Sequence, residues 1–253
     1  MEEQKEKTTK AQVRCLRLWE TPIFLIKNPE HFDIKQGLKD FIYAQEKNQY
    51  APIDSNVGID IKRNLSESKF DFLERDDENV NRLSNFITQA AMNCISAVNK
   101  ESWRKYGMTK QVVPELDIHE SWYHISRTGA YHGSHSHAGC SWCAIYYIDV
   151  GDWDEKRVDN MVFSAFGRPI VRVKGGKNRF QKPFQLTYHD AGLDYFRATN
   201  EWAPEPEDGM LVLFPSYLMH CAEPYEGLEK DRIVIAMNMK VNLTQEEEDG
   251  EES

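Results

Sequence analysis

An α+β chain whose main body is a β-sandwich or jelly roll is predicted by three observations. Two amphipathic helical stretches lie in the first hundred residues, the hydrophobic period changes from helical to alternating near residue 115, and seven strand candidates follow. Before the helices, PIFLI within RLWETPIFLIKN has the β-branched and aromatic character of a strand. Residues 34–47 place Ile34, Leu38, Phe41 and Ile42 at helical spacing. Residues 78–100 carry the longest apolar stripe, from Val80, Leu83 and Ile87 to Ile95 and Val98. The strand candidates are LDIHESWYHIS, CSWCAIYYIDV, NMVFSAF, RPIVRVK, FQLTYHD, MLVLFP and RIVIAMNMKV, separated by Gly, Asp, Pro and Asn turn signals.

Composition narrows the function. The 253 residues hold 31 Lys+Arg against 41 Asp+Glu, a net charge of −10, with 40% hydrophobic residues. That balance argues against a non-specific nucleic-acid partner, whose phosphates need a basic surface, and favours work on a small molecule or a specific partner. No apolar run is long enough to span a bilayer, and the charged N-terminus has no apolar core of a secretory signal. Five cysteines (Cys15, Cys94, Cys140, Cys143, Cys221) suggest reduced thiols and a cytoplasmic location. The expected organisation is a flexible arm over 1–14, one domain over 15–243 and an acidic disordered tail over 244–253.

Of eight histidines, five (His119, His124, His132, His135, His137) fall within nineteen residues. In an extended chain His135 and His137 face one side and can share a metal ion, whereas His132, three residues from His135, is expected to face the other. Neutral imidazole suits iron, zinc, copper and nickel. An HxH pair alone does not define a metal site. The distal stretch GMLVLFPSYLMHCAEPYEGLEKDRIVIAMNMKV adds His220 after an apolar strand and Arg232 twelve residues later. In the last strand Ile233, Ile235, Met237, Met239 and Val241 form a core face. Arg232, Val234, Ala236, Asn238 and Lys240 share the other. A guanidinium followed by small side chains faces open space, and a buried one needs an anion, which its planar fork grips as a carboxylate.

With these residues the chain resembles the 2-oxoglutarate- and iron(II)-dependent oxygenases, whose motif is His-x-Asp/Glu, a distal His and an Arg roughly ten residues on. It is most similar to the bacterial and phage family of such oxygenases, which carries a TP-[IV]-F strand (here Thr21-Pro22-Ile23-Phe24), an H-x-H segment before a YY strand, and FPS…H…R. Ile145-Tyr146-Tyr147-Ile148 is more distantly similar to the Tyr-Tyr-Leu strand of prolyl-hydroxylase-type enzymes. The resemblance covers residues 17–242 and implies a double-stranded β-helix (jelly roll) core with supporting N-terminal helices. It implies Fe(II) at His135, His137 and His220, and 2-oxoglutarate as cosubstrate with its distal carboxylate on Arg232. Tyr147, or more weakly Tyr123, would add a phenol hydrogen bond. The implied activity is hydroxylation of a substrate C–H bond with O2, releasing succinate and CO2.

Two departures stand out. His137 occupies the position where most of the superfamily has a carboxylate, which leaves an imidazole site one unit more positive; it is read either as a ligand or as a substrate contact. Val234 stands where prolyl-hydroxylase relatives often have Ser or Thr. Two rival readings stay open: a cupin-like three-histidine dioxygenase whose arginine binds the substrate's own carboxylate, and a jelly-roll binding module without turnover. Cys140-Ser141-Trp142-Cys143 is read as structural, Cys221 as packing, and Arg172–Lys182 as an exposed hairpin with solvated charges.

Overall fold

Apolar residues at three- and four-residue spacing fold the first half of the chain onto a sheet. The computed structural model describes residues 20–49, 62–105, 112–152, 162–163, 169–170, 176–183 and 201–245. Its elements are β1 (Phe24–Lys27), α1 (His31–Gln49), β2 (Lys62–Glu67), a short 3-10 turn (Phe72–Glu74), α2 (Glu78–Lys105), β3 (Val112–His135), β4 (Trp142–Asp149), β5 (Val162–Phe163), β6 (Pro169–Ile170), β7 (Asn178–Gln181), β8 (Glu201–Trp202), β9 (Met210–Pro215), β10 (His220–Ala222) and β11 (Arg232–Gln245). On α1, Ile34, Leu38 and Ile42 are buried; on α2, Val80, Leu83, Ile87, Ala91 and Ile95 are. Asp77 starts α2, its Oδ1 accepting from the amides of Asn79 (2.9 Å) and Val80 (3.1 Å).

The strands join in the order β1-β9-β4-β11-β3-β10-β7-β8, with β2 also on β3, and every ladder is antiparallel. This is the double-stranded β-helix. The first part of β3 pairs with β11 (Ser126 opposite Arg232), and its last residues pair with β10 (His135 opposite His220). Between them lies Gly129 at φ +79°, a conformation that favours glycine, where β3 turns from one layer into the other. The layers meet face to face, with the Phe180 ring of β7 4.9 Å from Phe214 of β9.

The sheet therefore has two apolar faces. Its outer face, including Tyr123, Tyr146, Ile233, Ile235 and Met237, packs in one core with the helices. Its inner face, including Tyr147, Val212, Phe214 and Val234, forms a smaller cluster with Phe180 and Leu218. Burying an aliphatic side chain this way contributes on the order of 1.5–3 kcal/mol, so the helix-backed core dominates stability. No described helix is long and apolar enough to cross a membrane.

Several expectations shift. The strands expected in NMVFSAF and RPIVRVK are described only as the two-residue pair β5–β6, which forms its own sheet. FQLTYHD, the arm over 1–14 and residues 246–253 lie outside the described residues, while β11 runs to Gln245, past the expected start of the tail at 244. The basic stretch is not an exposed hairpin where it is described: β7 lies between β10 and β8, and Lys177 and Asn178 are buried. Pairing of Asn178 with Ala222 draws this polar segment inside, because a strand in the inner layer buries alternate residues whatever their charge.

Candidate active site

The cleft between the two layers is set by β3, β10 and β11. His135 ends β3, His137 follows in the turn to β4, and His220 opens β10 directly opposite His135. The three imidazoles converge: one ring nitrogen from each lies within 4.8 Å of the others. Ring centroids are 4.4 Å apart for His135–His220, 5.0 Å for His135–His137 and 5.3 Å for His137–His220.

Backbone carbonyls fix the tautomer of two of them. His135 Nδ1 lies 2.8 Å from the Gly133 carbonyl and His220 Nδ1 lies 3.0 Å from that of Leu218. A carbonyl only accepts, so each Nδ1 carries the proton and each Nε2 keeps a lone pair, as a metal-binding imidazole requires. Burial holds the His220 imidazole down at about 3, reinforced by His135 and His137, so it is neutral at physiological pH. These donors fit a divalent cation that accepts imidazole.

Arg232 stands deeper, on the inner face of β11, and is 3% exposed. Its Nη2 donates to Asn178 Oδ1 at 2.7 Å, and its Cζ lies 5.2 Å from the centre of the Tyr147 ring. Its Nε is buried without a hydrogen-bond partner, and among the described residues no carboxylate forms an ion pair with it. A buried guanidinium without a counter-charge is costly. Gly176 permits a close approach here: a Cβ at this residue would lie 3.3 Å from Arg232 Cδ. The cleft is lined by the three histidines together with Trp122, Arg232, Val234 and Ala236.

The structure brings Arg232, His135, His137 and His220 into one cleft, with the Tyr147 ring against the arginine. The phenol of Tyr147 donates to Asn178 Oδ1 at 2.7 Å, so its one proton is directed at the asparagine and not at an incoming carboxylate. Burial pushes this phenol up, against the lowering effect of Arg232. Tyr123 is not in the cleft. It lies on the outer face, opposite Ile235, its ring 5.8 Å from Phe72 in an edge-on contact. Its neighbours Trp122 and His124 instead face the cleft, with His132 and His135 further along β3.

Two residues were not anticipated in their roles. His132 does not face away from His135; the rings stack at 4.0 Å and 21°. A bulge explains it: His220 and Ala222 on β10 oppose His135 and His132, so three steps on β3 match two on β10 and the side-chain parity is reset. Asn178 carried no signal beyond its place in a basic run, yet it links Tyr147 and Arg232. His124 pairs with the buried carboxylate of Glu67 at 2.6 Å.

The fold and site combine a double-stranded β-helix with three converging imidazoles and a buried arginine. The family model described as "Putative 2OG-Fe(II) oxygenase" matches residues 120–238 of this chain. No curated protein matches the chain. Among solved structures, the chain is similar to a prolyl-4-hydroxylase of Pseudomonas putida (14% identity, 86% of this chain and 92% of that one, TM-score 0.49). It is also similar to a Trichoplax adhaerens prolyl hydroxylase (10% identity, 85% and 82%, TM-score 0.46) and to the viral collagen prolyl hydroxylase of Paramecium Bursaria Chlorella virus-1 (10%, 86% and 94%, 0.40).

Proposed function

We propose that the protein hydroxylates a C–H bond of a small-molecule or peptide substrate, with iron(II) held by His135, His137 and His220 and 2-oxoglutarate anchored on Arg232. The observation that carries this reading is the buried guanidinium with an unpartnered Nε and no acid partner among the described residues, in the same cleft as three converging imidazoles. When bound, the metal and cosubstrate supply the oxidising chemistry with O2, yielding succinate and CO2 beside the hydroxylated product.

The chain supplies geometry and charge. His135 and His220 keep their Nδ1 protons on backbone carbonyls and offer Nε2 toward the centre. Arg232 meets the far carboxylate of the cosubstrate, and Asn178 and Tyr147 hold its fork in place. Val234 and Ala236, small on the same face as Arg232, keep the passage to it open. Phe214 and Phe180 give the cleft apolar walls that exclude water around the imidazoles.

The all-imidazole donor set favours one second reading, a three-histidine dioxygenase in which Arg232 binds the substrate's own carboxylate. Anaerobic calorimetry of the Fe(II)-loaded protein with 2-oxoglutarate, followed by succinate measurement after O2 is admitted, separates them. Binding with succinate release supports the first reading; neither, from an iron-loaded protein, favours the second.

A further inference from the structure

The mechanism above leaves unused a pair of thiols beside the metal centre. Cys140 lies in the turn between His137 and β4, and Cys143 in β4 lines the cleft. Their Sγ atoms are 3.7 Å apart. Cys143 is 2% exposed, and its thiol donates to Asn238 Oδ1 at 3.3 Å; Cys140 is partly exposed. Burial pushes the Cys143 thiol up, so the accessible Cys140 meets an oxidant from solvent while Cys143 waits behind it.

The turn that holds Cys140 also holds His137. His137 N donates to the Ser216 carbonyl (3.0 Å), Ser216 N to the Ser141 carbonyl (3.1 Å), and Ser216 Oγ to the Cys140 carbonyl (2.8 Å). A disulfide requires sulfurs about 2.05 Å apart, so the present pair must close by well over an ångström. Cys143 cannot supply that movement, because all eight residues of β4 are buried between the two cores. The turn can: Gly139 sits at φ +76° with nothing within 4 Å of where a Cβ would be.

We propose that Cys140 and Cys143 form a reversible disulfide on exposure to a peroxide, and that its closure displaces the turn carrying His137 and weakens metal binding. The first step converts the Cys140 thiol and ROOH to a sulfenic acid and ROH. In the second the Cys143 thiol attacks that sulfur, the S–S bond forms, and water leaves with the proton of Cys143. Two thiols are thereby oxidised by one peroxide, and a dithiol reductant reverses the change. The effect on metal rests on the metal centre proposed above; the disulfide itself does not.

The test uses the full chain, metal-free, treated with one equivalent of hydrogen peroxide. The expected result is loss of two hydrogen masses, mapped to a Cys140–Cys143 cross-link and reversed by dithiothreitol, with sulfenic acid trapped at Cys140 in Cys143→Ser. Co(II) titration then compares reduced and oxidised protein, with affinity expected to fall by about tenfold or more on oxidation. Absence of the cross-link overturns the proposal, as does a cross-link that leaves Co(II) affinity unchanged. Failure of the reduced protein to bind Co(II) at all contradicts the metal centre, while the mass measurement still decides the thiol pair.

Discussion

The two faces of β11 differ in almost every property although they alternate along one strand. Ile233, Ile235, Met237 and Met239 point to the helices and are all buried apolar side chains. Arg232, Val234 and Ala236 line the cleft, and Asn238 on the same face bonds Cys143 and Glu120. The first set contributes stability through area removed from water. The second leaves space and a charge without a counter-ion among the described residues, both of which cost stability.

Substitutions on each face sharpen the contrast. The largest effect falls on the imidazoles: His220→Ala is expected to lower divalent-metal affinity by more than about 100-fold, measured by Co(II) or Fe(II) titration, with little loss of melting temperature. On the opposite face, Ile235→Ala is expected to cost about 2–5 kcal/mol in chemical denaturation while the folded protein keeps its metal stoichiometry. Asn178→Asp gives the guanidinium an internal carboxylate, and 2-oxoglutarate affinity is expected to drop by about tenfold in calorimetry, because the cosubstrate must displace a built-in anion.

The smallest effect concerns pH on the helix side. His31, the first residue of α1, is fully buried, with Nδ1 2.8 Å from the Tyr146 hydroxyl. Burial lowers its pKa, with Asp208 and Asp149 opposing and Lys35 and Lys27 assisting. The unfolded chain takes up a proton at this imidazole near pH 6.5 while the folded protein resists. Stability is therefore expected to fall as pH drops through that value, and His31→Gln should flatten this part of the metal-free protein's stability–pH curve.

Those contrasts also show what a sequence reveals. The alternation in RIVIAMNMKV sorts both faces of β11 correctly because a strand has a period of two and one face must be apolar. His135 and His137 converge with His220, yet His137 lies in the turn beyond β3, so the two-residue strand period is not what brings them together. That period fails at His132, where a bulge resets the parity, and bulges leave no compositional trace. It fails at Asn178 because a polar strand held by its neighbours reads as a loop. β2, with the sequence KRNLSE, is hidden for the same reason: its pairing with β3, not its own composition, makes it a strand. Tyr123 and Tyr147 look alike in sequence, but opposite parity sends one to the helices and the other beneath Arg232.

Arg232 is buried in the cleft with no acid partner among the described residues; the proposed role of its guanidinium is to anchor 2-oxoglutarate. It is tested most directly by the affinity of the anaerobic, metal-loaded protein for 2-oxoglutarate, compared with Arg232→Ala and Arg232→Lys. Truncation is expected to cost about 2–5 kcal/mol, at least about thirty-fold in affinity, with lysine recovering only part of it. Equal affinity in all three proteins would contradict the account.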